Sequence, residues 1–220
     1  MRRTNIIPLQ NESRRESLPR LSPEVEAALL AGGASRRMGR DKTSLLLAGR
    51  SVIERMIEIL APLFSRLRII AGDGSRFSAL GVPVQPDLRP GCGALSGVHA
   101  ALATASAEAV FVVACDLPLL HPALIRGLVS RLEGHDAVVP WSDKGPEPLC
   151  ALYRRRCHAA AEAALDGGEL KMSDFLARLS VRRLQGEELI RLDPDGLGLF
   201  NLNTPEDYQR ARKILEPSSD

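Results

Sequence analysis

Residues able to bind phosphate are concentrated early in the chain, in Leu30-Ala31-Gly32-Gly33-Ala34-Ser35-Arg36-Arg37-Met38-Gly39-Arg40-Asp41-Lys42. Glycines admit positive φ and let backbone N–H groups close on an anion, while the cations neutralise it. An arginine grips phosphate through two parallel donors, so Arg36 and Arg37 read as residues that would curl round a triphosphate. Lys42 lies further out, where it could meet a phosphoryl group on which charge develops. Asp41 could orient Lys42, although such neighbours more often form a surface ion pair. By itself the stretch could equally be a basic surface turn.

Two aspartates add a second chemistry. Asp116 follows the apolar run Val110-Phe111-Val112-Val113-Ala114, with Pro118 stiffening the chain just beyond it. A carboxylate held rigidly at a strand end suits Mg2+, which favours one or two carboxylates together with substrate phosphate oxygens. The plainer reading of Asp116 is a turn or capping residue before Leu117-Pro118. Asp87, after Pro86, reads either as a further polar group of the same site or as a Pro-Asp turn.

Other chemistries lose their motif. A P-loop needs Gly before Lys-Ser/Thr, and here Asp41 precedes Lys42-Thr43; Gly32-Gly33 and Gly39 do not supply the G-x-G-x-x-G of a dinucleotide loop. Cys92, Cys115, Cys150 and Cys157 form no C-x-x-C pair and no zinc spacing, and free thiols suit a reducing cytoplasm. Cys115 closes an apolar run and reads as a small buried hydrophobe. His99, His121, His135 and His158 are scattered, and all four are assigned to structure or surface.

Bringing the loop, Asp87 and Asp116 together requires strands that end at one edge. The apolar patterns predict strands over residues 25–30, 67–71, 82–85, 110–114, 137–140, 149–153, 181–184 and 199–202. Between them the periodicity predicts helices from Ser51 (with Glu54 as a capping box), over 93–105, 122–133, 156–166 and 173–179, and from Thr204-Pro205 to about residue 214. Strands 25–30 and 110–114 read as apolar on both faces, as central parallel strands are. The alternation argues for right-handed βαβ units in an α/β sheet covered on both faces. In such sheets ligands sit beyond the carboxyl ends of the strands, which is where all three polar elements fall.

The whole-chain properties fit one domain. With 220 residues and 45% hydrophobic content, the chain can bury a sizeable core. A net charge of +2 provides no global field for nucleic acid, so anion binding must be local. No stretch reaches the length of about 20 apolar residues needed to span a bilayer. Residues 1–23 are polar and arginine-rich, with three prolines and no apolar centre; they read as a disordered leader rather than a secretory signal. The domain is expected over 24–214, with 215–220 as a tail.

The order of these motifs resembles the molybdenum cofactor guanylyltransferases, nucleotidyltransferases that act on molybdopterin. The loop Leu30-Ala31-Gly32-Gly33, Ser35, Arg37-Met38-Gly39 and Asp41-Lys42 is similar to the family's signature. Pro86-Asp87, Gly93-Ala94-Leu95-Ser96-Gly97, Cys115-Asp116-Leu117-Pro118 and Asn201-Leu202-Asn203-Thr204-Pro205-Glu206-Asp207 agree with four later segments in order and spacing. The resemblance implies a Rossmann-like three-layer nucleotidyltransferase fold with a mostly parallel central sheet. It also implies transfer of GMP from GTP to molybdenum-molybdopterin, with Mg2+ as cofactor and pyrophosphate released. Backbone groups of Leu30, Ala31, Gly32 and Gly33 would meet the guanine nucleotide. Lys42 and Arg37 would neutralise phosphate charge, Asp87 would contribute to GTP binding, and Asp116 would hold Mg2+ and nucleotide. Asn201 and Asn203 would help hold the pterin side. Transient contacts with molybdenum-insertion proteins and recipient molybdoenzymes would follow in the cytoplasm, with no nucleic acid or membrane involved. Two departures stand out: Ala71-Gly72-Asp73 lacks the asparagine some relatives carry there, and Ala94 replaces a common proline. The alternatives are a cytidylyltransferase of the same superfamily, for which Gly32-Gly33 is the less usual pair, and a non-catalytic nucleotide-binding partner protein.

Overall fold

The computed structural model describes residues 19–32 and 42–216. Strand β1 (Val25–Leu30) leads to a 3-10 turn, Lys42–Ser44, and a short hairpin of β2 (Leu46–Leu47) and β3 (Arg50–Ser51). Helix α1 (Val52–Leu60) starts on the expected capping box: Ser51 Oγ accepts from Glu54 N, and Glu54 Oε2 accepts from Ser51 N at 2.8 Å. Next come β4 (Leu67–Ala71), a 3-10 stretch at Gly74–Leu80 capped by Asp73, β5 (Val84–Pro86), α2 (Gly93–Ala103) and β6 (Ala109–Ala114). Helix α3 (Pro122–Val129) has its proline in the first turn. The remaining elements are β7 (Ala137–Ser142), β8 (Gly145–Pro146), β9 (Cys150–Arg154), a 3-10 turn at Arg155–Cys157, α4 (His158–Asp166), α5 (Met172–Ala177), β10 (Val181–Leu184), α6 (Glu187–Leu192) and α7 (Pro205–Leu215).

The main sheet runs β10-β7-β9-β6-β1-β4-β5, with β8 hydrogen-bonded to β7. Pairs β1–β4, β1–β6, β4–β5 and β7–β10 are parallel; β9 runs antiparallel between β6 and β7. That reversal follows from chain length. Only seven residues separate β7 from β9, and a parallel return needs a crossover of about a dozen residues or more. Alternate residues of the central strands feed two cores. Ala27, Leu29, Phe111 and Val113 pack with α1 and α3, while Ala28, Leu30, Val110 and Val112 pack with α2, α4 and α5. The result is a three-layer α/β arrangement with a mostly parallel sheet.

Several sequence expectations need correction. No strand forms over 199–202; the segment is irregular, with buried Leu202 pairing its N–H with Asp116 O at 2.9 Å instead of with a ladder. Helix 122–133 stops at Val129, where Ser130 Oγ and Arg131 Nη1 both donate to Gly127 O, supplying donors that a continuing helix would have provided. Helix α6 was not foreseen. Strand β1 is not apolar throughout: Glu26 is 1% exposed, bonded to the Arg68 guanidinium and to Ser106 N and Oγ at 3.2 and 3.1 Å. Of the expected leader, residues 1–18 lie outside the described part. Beyond them, Leu21 N donates to Leu63 O at 2.8 Å and the Leu21 side chain packs on the core.

Candidate active site

From β1 the chain steps outward to β4 and β5, then returns to place β6 on β1's other side. The carboxyl ends of β1 and β6 therefore flank the point where strand order reverses, the usual position of a crevice in an open α/β sheet. Gly32 leaves one end and Asp116 the other. Cys115 N donates to Leu30 O at 3.1 Å, so the β1–β6 ladder continues to the residue before Asp116 and fixes its backbone. Burial, and then the neighbouring Asp116 carboxylate, push the Cys115 thiol up to about 12, which leaves it protonated and unsuited to act as a nucleophile.

Asp116 presents two different oxygens. Oδ1 is buried and has no hydrogen-bond partner among the described residues, whereas Oδ2 lies 3.4 Å from Lys42 Nζ. A buried carboxylate oxygen without a donor is costly and is a natural place for a cation. Lys42, in its 3-10 turn, donates a shorter bond of 2.9 Å to Asn203 Oδ1. Asn203 is in turn anchored by α7. Asp207 Oδ2 accepts from both Asn203 N and Thr204 N at 2.9 Å, and Thr204 Oγ1 accepts from Asp207 N at 3.2 Å. Burial works against the charge on Asp207, but these donors outweigh it and hold its pKa below the ordinary value. Tyr208 Oη donates to Leu46 O at 2.7 Å, tying α7 to the hairpin that follows Lys42. Leu47, Val52, Leu202 and Ala211 form a small core under that junction.

On the opposite wall, Asp87 Oδ1 accepts from Arg89 N at 3.0 Å and from the Ser96 hydroxyl, which also lies 2.6 Å from Arg89 O. Asp87 is thus partly occupied in bracing its own loop against α2. Cys92 makes no side-chain cap, so the first N–H groups of α2 open on the cleft beside Gly91 and Gly93. Both glycines have positive φ, 89° and 71°. Gly97 has a different role: a Cβ there would lie 3.1 Å from Leu30 Cδ1, so its small size lets α2 close on the end of β1.

Together these elements enclose a cleft of about 820 Å³, lined by Leu30, Ala31, Gly32, Lys42, Asp87 and Asp116 among others. The structure therefore brings together Gly32, Lys42, Asp87, Asp116 and Asn203. Gly33, Arg36, Arg37 and Asp41 lie outside the described residues. Leu30 O already accepts from Cys115, and Ala31 N–H already donates to Ile70 O at 2.9 Å. Any contact from Leu30 or Ala31 to a base must come from what remains of their backbone. Gly32 offers open space, since a Cβ there would meet nothing within 4 Å. Asn203 Oδ1 accepts from the Lys42 amine, and Asn201 Nδ2 donates to Leu199 O at 3.3 Å.

Glu147, which the sequence leaves open between a turn and a pterin contact, belongs in this neighbourhood. Its carboxyl is half-buried and its pKa is pushed up, first by burial, with Asp116 adding to the shift. Ser142 Oγ lies 3.3 Å from Glu147 Oε1. Only its position after the β8 turn could have signalled this, because β9's reversal is what carries it back toward Asp116.

The arrangement matches known proteins along most of its length. Residues 27–183 match the family model described as MobA-like NTP transferase domain. A probable molybdenum cofactor guanylyltransferase of Pelotomaculum thermopropionicum is 37% identical over 195 residues, covering 89% of this chain and 95% of the relative. A molybdenum cofactor guanylyltransferase of Desulfosudis oleivorans is 34% identical over 194 residues, covering 87% and 96%. Among solved structures, molybdopterin-guanine dinucleotide biosynthesis protein A from Archaeoglobus fulgidus superposes with a TM-score of 0.76 at 32% identity, covering 86% of this chain and 97% of that one.

Proposed function

The chain belongs to the MobA-like NTP transferase family, and from that premise we propose that its cleft transfers GMP from GTP to molybdenum-molybdopterin. The products are the guanine dinucleotide form of the cofactor and pyrophosphate. The observation that carries the reading is the convergence of Lys42, Asp116 and Asn203 at the β1/β6 switch point, facing Gly32 and the open start of α2.

In the reaction a terminal phosphate oxygen of molybdopterin attacks the α-phosphorus of GTP. A new P–O bond forms, the bond to the β-phosphate bridging oxygen breaks, and pyrophosphate leaves with the electron pair. The attacking group is already an anionic oxygen, so positioning and charge neutralisation do most of the work. Lys42, buried enough to be held yet open to the cleft, neutralises charge on the phosphates. The first N–H groups of α2 offer donors to the same anion. Open space at Gly32 lets a purine approach the backbone of residues 30–32, and Asp87 braces the wall against which the nucleotide lies. Gly33 and Arg37, outside the described residues, would add to phosphate binding as the sequence motif implies.

Mg2+ fits this site. Asp116 would contribute a buried carboxylate oxygen without a donor, and substrate phosphate oxygens would complete the all-oxygen set that Mg2+ selects. When bound, the ion would neutralise phosphate charge that Lys42 alone cannot offset. Asn201 and Asn203 would help hold the pterin side, as the sequence motif implies. The reaction would take place in the cytoplasm, a reducing compartment that suits free thiols, and its product would pass by transient contact to molybdenum-insertion proteins and recipient molybdoenzymes. Among the described residues, no helix is long and apolar enough to cross a membrane.

The deciding experiment incubates the protein with molybdenum-loaded molybdopterin, Mg2+ and either labelled GTP or labelled CTP. Label is expected in the dinucleotide product from GTP and not from CTP. Incorporation from CTP at an equal or greater rate would overturn the guanylyl assignment.

A further inference from the structure

Two histidines that the sequence gives no reason to pair face one another across α2 and α4. His99 lies midway along α2, buried at 4% exposure; His158 opens α4. Their Nε2 atoms are 3.0 Å apart, with ring centroids 4.6 Å apart and planes tilted by 36°. Glu162 follows His158 by four residues, on the same face of α4. One ligand atom from each of the three side chains lies within 4.8 Å of the other two. We propose that His99, His158 and Glu162 form a binding site for a divalent transition ion of the zinc class, which clamps α4 onto α2.

The geometry suits such an ion. Two imidazole nitrogens each about 2.1 Å from one metal stand about 3.0 Å apart at a right angle, and slightly more in a tetrahedron. The observed separation is at the start of that range, so a small ring rotation completes it. Two imidazoles and one carboxylate form a nitrogen-rich set that favours zinc, nickel or copper over Mg2+, which takes oxygen ligands. The site is therefore chemically distinct from Asp116. His99 Nδ1 has no partner among the described residues and can keep the ring's proton, leaving Nε2 for the ion.

Access and charge are compatible with binding. His158 borders an open cleft of about 540 Å³, and Glu162 is exposed, so an ion and a water in a fourth position can arrive from solvent. Arg154, Arg155 and Arg156 line the same cleft. Arg156 is engaged by Asp136 at 2.8 Å, and Arg154 donates to His135 O at 2.8 Å. The clamp would act on α2, which lines the nucleotide cleft and carries Ser96 against Asp87, and on α4, whose Asp166 pairs with Arg89 at 2.7 Å. Its expected effect is on the stability of that wall rather than on the chemical step.

The test uses the full chain, freed of metal by a chelator and kept in excess Mg2+. Zn2+ is titrated by calorimetry and Co2+ is followed by visible absorption. One equivalent should bind, the Co2+ bands should lack thiolate charge transfer, and Zn2+ should raise Tm. His158→Ala should abolish the Co2+ bands. Glu162→Gln, at an exposed position, should weaken binding by more than the roughly 10–100-fold that changes outside the ligand set cause, and it keeps the test open if the histidine variant loses its fold. Absence of binding by the unaltered chain, thiolate bands, or unchanged affinity in a folded His158→Ala or Glu162→Gln variant would each overturn the assignment.

Discussion

Lys42 makes its shorter hydrogen bond to Asn203, 2.9 Å away, and only a 3.4 Å contact to Asp116. The amine is therefore held by a neutral amide and can turn from the carboxylate to an incoming phosphate without losing its anchor. Lys42→Ala should lower kcat by about 10²–10³, the usual cost of removing one donor from developing charge. Asn203→Ala should have a smaller effect on kcat. Steady-state kinetics on both variants check the ranking, and a reversed order would mean that Asn203 itself contacts the reacting groups.

Asp116→Asn keeps the shape and removes the charge. With its oxygen outside the apolar cores, the variant should fold as before, by circular dichroism, while transfer falls to background. In the unaltered protein, GTP with Mg2+ at about a hundredfold over its Kd should stabilise the fold by about 2.7 kcal/mol. That gain should shrink in the variant and no longer depend on Mg2+. Retention of most of the activity would remove Asp116 from the metal site.

The pairing of Glu26 with Arg68 lies at the opposite end of β1 from Gly32. Glu26→Ala would leave the Arg68 guanidinium, 13% exposed, without its carboxylate. Breaking one side of a buried pair costs about 3–5 kcal/mol. Urea unfolding should show that loss, with kcat per folded molecule nearly unchanged. A loss under about 1 kcal/mol, the scale of an exposed pair, would show that water reaches this site.

Asp136 links three segments: Oδ2 accepts from Ser180 N at 2.9 Å and Oδ1 from Arg156 Nε at 2.8 Å. The Ser180 hydrogen bond, opposed by burial and reinforced by Arg156, holds its pKa below the ordinary 3.8. A carboxyl depressed in the folded state binds fewer protons there than in the unfolded chain. Its stabilisation is present above the ordinary value and is lost as pH falls through the lower folded value. Tm should therefore drop as pH falls below about 4, and Asp136→Asn should flatten part of that slope. An identical slope in the variant would assign the acid sensitivity to other carboxyls.

Much of the site was legible because its parts are local. Asp116 follows a strand apolar on both faces, and Ser51 and Thr204 announce their helices through their own neighbours. What was not legible depends on contacts distant in sequence. Glu26 looks out of place in its strand until Arg68 and Ser106 arrive beside it. His99 and His158 are 59 positions apart and meet only because α2 and α4 pack on the same face. The motif around Asn203 does not reveal that its side chain meets Lys42, 161 positions away. Residues 199–202 have strand-like composition, but Leu202 finds its partner in Asp116 rather than in a neighbouring strand.

The bond between Lys42 and Asn203 spans 161 positions. A growing chain on the ribosome therefore carries the glycine loop, the lysine and both aspartates well before it can hold the lysine in place. Until residues 201–215 have been made and α7 has docked on the β2–β3 hairpin, Lys42 lacks the amide that holds it. GTP would therefore meet a fully held Lys42 only after α7 has been made. Proteolytic loss of α7 would return the molecule to that unfinished state while leaving the eight-stranded sheet in place.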